Sequence, residues 1–271
     1  MRTGLFLPNT IPGTTGADLT AWAQKAEARG FDSLGVIDRV VYDSYEPLVA
    51  LAMAAAVTER VELVTNVLIS PLRHGGMLAK QADSLDRASG GRLTLGLGVG
   101  LRDDDFTACD VDIHVRGALL DQHIRQLTGR RMLIGGEAKH AARRLMTAGD
   151  GWTMMIGTPD QFEAGYTAVH GAWACAGRPD RPRGMAVMYA ALGDDAEALA
   201  QKAAGGYYAW LGPEIAAAIV ASVATTPDAV RQYLAGFEAA GADDVLIVPC
   251  SNDLAQLHLI ADAALRVPAL V

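Results

Sequence analysis

Val61-Glu-Leu-Val-Thr-Asn-Val-Leu-Ile69, a helical stretch at 76–88, and Leu93-Thr-Leu-Gly-Leu-Gly-Val99 form one strand–helix–strand unit. Both outer runs are short, apolar and bounded by turn residues, and Ser70-Pro71 turns the chain out of the first of them. The same alternation continues in both directions. Strand-like runs lie at 3–8, 33–37, 61–69, 93–99, 132–136, 151–155, 185–192 and 244–249, with helical patterns at 17–29, 46–57, 76–88, 117–128, 138–148, 159–176, 194–240 in two parts, and 253–265. Thr158 before Pro159 and Thr226 before Pro227 mark helix starts, while Gly30 and Gly241 mark helix stops. Eight such repeats predict an α/β fold, a single (β/α)8 TIM barrel over 1–271, with its chemistry in the loops that follow the strands.

A chain of 271 residues suits one barrel of this kind, which typically runs to about 250, and no Pro/Ser-rich linker divides it. Hydrophobic residues make up 51%, ample for a core. The net charge of −8, without a basic stripe, speaks against nucleic acid or an anionic membrane as partner. No apolar run approaches the roughly 20 residues of a membrane span, and 1–8 reads as the first strand rather than a signal peptide. Cys109, Cys175 and Cys250 fit neither a disulfide framework nor a zinc site, so a cytoplasmic protein without a metal is expected. Of the 23 basic residues 19 are Arg, the bias of a GC-rich genome.

Particular strings carry more than the barrel. They are Ala28-Arg-Gly-Phe-Asp-Ser-Leu-Gly-Val-Ile-Asp38, Glu46-Pro-Leu-Val-Ala-Leu-Ala52, Val57-Thr-Glu-Arg-Val61, Leu78-Ala-Lys-Gln-Ala82, Leu85-Asp-Arg-Ala-Ser-Gly-Gly-Arg-Leu93 and Gly96-Leu-Gly-Val-Gly100. Beyond them come His114-Val-Arg-Gly117, Ile134-Gly-Gly136, Gly149-Asp-Gly-Trp152 and Gly241-Ala-Asp243. In this order and spacing the chain resembles the bacterial luciferase-like monooxygenase superfamily, and within it the actinobacterial oxidoreductases that use the deazaflavin coenzyme F-420.

That resemblance implies a flavin or deazaflavin in the barrel mouth, held by Asp38, Asn66, Val67, Gly98, Val99, Gly135 and Gly136. It implies a cis peptide between Asn66 and Val67, with Val67 behind the cofactor ring, and a phosphate received at the Gly135-Gly136 turn, where a helix start offers free amides. Glu137 would repel that phosphate by about 1 kcal/mol in water, and Lys139 and His140 can offset it. The glycines of 96–100 spare side chains that would crowd the ring, and their spacing is not that of a dinucleotide fingerprint. The acidic run Asp103 to Asp105 reads as a solvated loop, not a metal site. The strings 57–61 and 149–152 precede strands, so they are expected to stabilise the opposite face.

Two departures from the family pattern stand out. Its Asp-His pair after the second strand is Asp38-Arg39 here, and Arg does not titrate at ordinary pH. Arg39 can pair with an anionic ring or substrate, or with Asp38, Asp43 or Glu46 at the rim. His74 and His114, in loops after the third and fourth strands, are the candidate proton carriers, with Tyr42 a third; His123, His170 and His258 read as structural. The second departure is a shortened connection between the fourth repeat's helix and the fifth strand, where Leu127 leads through Thr128-Gly129-Arg130 directly into the strand. Tyr207, Tyr208 and Trp210 can cap a ring or pack a helix.

The expected function is hydride transfer between a deazaflavin and a small organic substrate. An FMN-dependent monooxygenase and a barrel that has lost its cofactor are the alternatives. A homodimer is expected through the apolar helices at 46–57 and 77–88.

Overall fold

The strand and helix signals of the sequence become real elements in the computed structural model, which describes residues 1–265. The strands are β1 (Arg2–Phe6), β2 (Ser33–Val36), β3 (Glu62–Ile69), β4 (Leu93–Gly98), β5 (Met132–Gly135), β6 (Gly151–Ile156), β7 (Arg183–Ala190) and β8 (Asp244–Pro249). All pair in parallel in chain order, and β8 returns to β1 with Leu246 opposite Gly4 to close the barrel. The helices are α1 (Gly16–Arg29), α2 (Pro47–Ala55), α3 (Gly75–Ala88), α4 (Asp103–Ala108), α5 (Arg116–Gln126), α6 (Ala138–Leu145), α7 (Pro159–Cys175), α8 (Ala196–Ala200), α9 (Gly206–Tyr208), α10 (Pro213–Ala221), α11 (Pro227–Ala239) and α12 (Leu254–Ala264).

Thr158 and Thr226 cap α7 and α11 as expected: their hydroxyls accept from the amides of Gln161 and Ala229. Gly30 ends α1 at φ 101°, a backbone that favours glycine. The stretch 194–240 differs most from its reading. A π-helical turn over Gln201–Gly205 and a 3-10 turn over Ala209–Leu211 break its first part, because the Ala- and Gly-rich sequence there has no strong apolar stripe to impose one axis.

Two apolar layers hold the barrel. Phe6, Val64, Leu133, Met185 and Leu246 fill its inside, and Trp22, Leu51, Leu78, Leu120 and Phe162 pack strands against helices. At the N-terminal ends of the strands Arg183 binds Glu62 through two hydrogen bonds of 2.8 and 2.9 Å and Asp244 at 2.6 Å. Arg2 adds contacts to both carboxylates, at 3.2 and 2.8 Å. This charged plug lies at the end away from the strand C-termini. The shortened connection spans 127–131 between α5 and β5, on the same far face.

Candidate functional site

A cavity of about 940 Å³ opens at the C-terminal ends of the strands. Its central feature comes from β3. The Asn66–Val67 peptide is cis, and the pairing with β4 shifts register between Thr65 and Leu68. Asn66 turns into the barrel, where its amide accepts from the Thr153 hydroxyl at 3.1 Å and donates to the Met185 sulfur at 3.4 Å.

Val67 is half-buried on the cavity wall, seated between β4 and β5. A Cβ on Gly98 would stand 2.4 Å from Val67 Cγ2, and one on Gly135 2.6 Å from Val67 Cγ1. Gly98, expected to make room for a ring, and Gly135, expected at the phosphate turn, therefore first make room for Val67, a shelf whose own side chain fills the space they leave. Gly136 differs: at φ 104° a side chain there would be strained, and open space surrounds it.

Asp38 is buried at the end of β2 and held from three sides. Arg73 donates to both its oxygens, at 2.5 and 3.1 Å, and the Ile69 amide donates at 2.8 Å. Burial pushes the carboxyl upward from its ordinary range, against the pull of Arg73. Arg73 also reaches Glu46, at 2.9 Å, so α2, β2 and the β3 exit share one network. The sequence reading missed Arg73; an arginine two residues past the exit proline, one strand over from an acidic residue, was the available signal.

Arg39 does line the cavity, but its partner is none of Asp38, Asp43 and Glu46. Its Nε donates to Asp105 at 2.7 Å, Nη2 donates to the Val41 carbonyl at 3.2 Å, and Asp104 lies 3.6 Å away. The rings of Tyr42 and Tyr207 lie 5.2 and 5.6 Å from the guanidinium carbon. Asp105 is buried and also accepts from the Val40 and Val41 amides. This corrects the reading of 103–105 as a solvated loop: the run starts α4, and its third carboxylate is an interior anchor for the β2 loop. Arg39 Nη1 is buried without a hydrogen-bond partner among the described residues.

On the β4–β5 side the wall is basic. His114, Arg116, His140 and Arg144 line the cavity around the Gly135–Ala138 turn, and Arg144 is bound to Asp121 at 2.6 Å. Glu137 is exposed and paired with Lys139 at 2.9 Å, which weakens the repulsion expected of it. Trp152 donates its indole N–H to the Gly136 carbonyl at 2.9 Å and lines the cavity. Its string was assigned to the far face. Gly149 and Asp150 do serve there, bound to Arg178 and to the Met132 amide, but the long indole reaches up to the turn.

His114 is exposed on the basic wall, whereas His74 is exposed at the start of α3 and is not part of the lining. Tyr42 packs edge-on against Tyr207, with ring centroids 5.4 Å apart. Tyr207, Tyr208 and Trp210 all face the cavity, and Tyr208 meets Tyr189 hydroxyl to hydroxyl at 3.2 Å. No cluster of groups suited to a metal ion and no membrane-length apolar helix occurs among the described residues. Cys109, Cys175 and Cys250 are free.

Residues 1–129 match the family model of luciferase-like monooxygenases. An uncharacterised protein of Mycobacterium tuberculosis is 28% identical over 191 residues, taking in 52% of this chain and 66% of that protein, so the chain spans just under two thirds of its relative. The F420-dependent glucose-6-phosphate dehydrogenase of Beutenbergia cavernae is 42% identical over 90 residues, 31% of this chain and 27% of that enzyme.

Among solved structures, an F420-dependent secondary alcohol dehydrogenase in complex with an F420-acetone adduct superposes with a TM-score of 0.83 at 15% identity, covering 98% of this chain and 99% of that one. The oxygenating constituent of 3,6-diketocamphane monooxygenase from Pseudomonas putida, in complex with FMN, gives 0.75 at 17% identity, covering 100% and 99%. At these identities the likeness is one of fold. The luciferase-like resemblance is borne out, and the enzymes it leads to work with F420 or with FMN.

Proposed function

We propose that this protein is an oxidoreductase that binds the deazaflavin coenzyme F-420 in the barrel mouth and passes hydride between it and a small organic substrate. The observation that carries this reading is the Val67 shelf. It is pressed into the gap left by Gly98 and Gly135, beside a turn whose Gly136 leaves open space. A flat ring resting on Val67 and Val99 would have its anionic tail within reach of the Gly136 turn, the first amides of α6, His114, Arg116 and His140.

When bound, such a coenzyme supplies a two-electron hydride donor or acceptor. The chain's own part is to hold and orient. Val67 supports the ring, Asn66 fixes the strand beneath through Thr153, and Asp38 with Arg73 braces the β2 and β3 exits. His114 belongs to the wall that faces the anionic tail, and Arg39 is a positioning residue that ties the β2 loop to α4. The preference over FMN follows the strings that resemble the F-420 branch and the 42% match to an F420-dependent enzyme.

Assembly as a homodimer and a cytoplasmic setting belong to the same proposal. Val49 on α2 and Met77 on α3 are 54% and 58% exposed, an apolar pair that a second copy would cover.

Titration of the protein with F-420 and with FMN, each followed by the ligand's own fluorescence, tests the reading. Saturable binding of F-420 that is tighter than FMN and is weakened at least tenfold by Gly136→Val is expected. Tighter FMN binding turns the reading toward a flavin monooxygenase, and binding of neither overturns it.

A further inference from the structure

The two ends of the cavity differ in chemistry. The end over β4 and β5 is basic, as described. The opposite end, over β7, β8 and β2 and covered by the segment 101–105 that crosses from β4 to Arg39, is aromatic, and its charged side chains are paired with one another among the described residues, although Arg39 Nη1 has no hydrogen-bond partner there. There Arg39 and Arg102 face Asp104 and Asp105: Arg39 is paired with Asp105, Arg102 with Asp104, and Asp104 also lies 3.6 Å from Arg39. Two cations are offset by two carboxylates, so an added anion meets no surplus positive charge.

Around these pairs stand Tyr207, Trp210 and the Tyr189–Tyr208 pair. Arg102 lies over the Trp210 ring at 5.1 Å, and Leu101, Met155 and Trp210 line the cavity while remaining exposed at its rim. The Tyr189 and Tyr208 side chains are buried with their hydroxyls 3.2 Å apart. One proton of the pair lies between the two oxygens; the second has no acceptor among the described residues. A neutral hydrogen-bond donor at the base of an apolar, ring-lined space selects for an acceptor oxygen on a flat apolar body. A carboxylate brought to the same place leaves water without a compensating charge, which is costly.

We infer that this end is the substrate subsite, and that its substrate is an uncharged, ring-bearing molecule with an acceptor oxygen seated on the Tyr189–Tyr208 hydroxyls. The inference rests on the proposed cofactor occupying the basic end. Burial holds both phenols above their ordinary range, so the pair keeps its protons through neutral pH.

The test uses acetophenone, ethylbenzene and benzoate, which share one ring and differ in the oxygen, titrated calorimetrically into the protein with and without F-420. Acetophenone is expected to bind about three- to tenfold more tightly than ethylbenzene, the worth of one neutral hydrogen bond. Benzoate is expected to bind at least tenfold more weakly than acetophenone. The Tyr189→Phe/Tyr208→Phe double variant, which removes both hydroxyls of the pair, brings acetophenone to the level of ethylbenzene and leaves ethylbenzene unchanged. Trp210→Ala, at an exposed position, weakens both neutral ligands.

Benzoate matching acetophenone, the Tyr189→Phe/Tyr208→Phe variant weakening both neutral ligands equally, or no binding of any of the three overturns the inference. F-420 fluorescence in the same samples separates the two proposals. Coenzyme binding without discrimination among the three ligands sinks the subsite alone, and discrimination without coenzyme binding sinks the cofactor reading alone.

Discussion

Arg39 Nε donates to Asp105 Oδ2 at 2.7 Å, joining the end of β2 to α4 across 66 positions of the chain, and both side chains are buried. Removing the cation strands a carboxylate in the interior, a change that costs about 3–5 kcal/mol when a buried pair is broken. Arg39→Ala is therefore expected to lower the unfolding free energy by that order in urea titrations. Arg39→Lys should recover part, since a single ammonium cannot serve Asp105 and the Val41 carbonyl in the same planar way. A stable Arg39→Ala protein whose only defect is ligand binding would make Arg39 a ligand residue instead.

Val67 and Gly98 make a second paired prediction. Gly98→Ala sets a Cβ within 2.4 Å of Val67 Cγ2, and the branched side chain has little freedom to move away. A loss of about 1–3 kcal/mol follows from such overpacking. Val67→Ala in the same chain should return most of it, giving a clear coupling in a double-mutant cycle. Additive losses would mean that the two side chains do not compete for one space.

Trp152→Phe keeps the ring that stacks on Phe162 but removes the indole N–H from the Gly136 carbonyl. The expected cost is about 1 kcal/mol in stability. Hydrogen exchange at the His140 and Ala141 amides, which donate to the Glu137 carbonyl, should rise in the variant, because the turn before them loses its tie. Unchanged exchange there would show the turn to be held by its backbone alone.

Acid sensitivity should centre partly on Glu62. Burial pushes its carboxyl upward, but hydrogen bonds and charge from Arg183, with the Thr94 hydroxyl and Arg2, hold it below its ordinary value of 4.5. A carboxyl with a depressed folded pKa stabilises the protein fully above its unfolded pKa and loses that contribution as pH falls through the folded one. The melting temperature of Glu62→Gln is thus expected to lie below that of the parent at pH 7, with the gap narrowing as pH drops below 4.5. A gap that stays constant down to pH 2 would remove Glu62 from the acid response.

The barrel itself was legible because its strands are short apolar runs and its helices carry caps that act locally, as Thr158 and Thr226 do. The cis step at Asn66–Val67 was legible through resemblance, not through any property of the two residues. What escaped reading depends on partners distant in sequence. Asp105 looks like any member of an acidic run until Arg39 and two amides of the β2 loop converge on it. Arg73 looks like a surface arginine until Asp38 meets it from the neighbouring strand. Trp152 was placed by where its backbone lies, whereas its indole spans from the far half of β6 to the turn after β5.

The short passage from α5 to β5 has a use beyond the proposed reaction. Gly129 sits there at φ 90°, with open space where a side chain would stand, on the face away from the cavity. Arg130, bound to Asp83, and Arg131, bound to the Leu93 carbonyl, anchor the chain just after it. An inserted loop or fused domain entering between Thr128 and Gly129 would leave those anchors and the whole cavity wall in place. The barrel therefore has an attachment point that can be redesigned independently of its binding mouth, and a sensor or scaffold built on it could be wired from beneath.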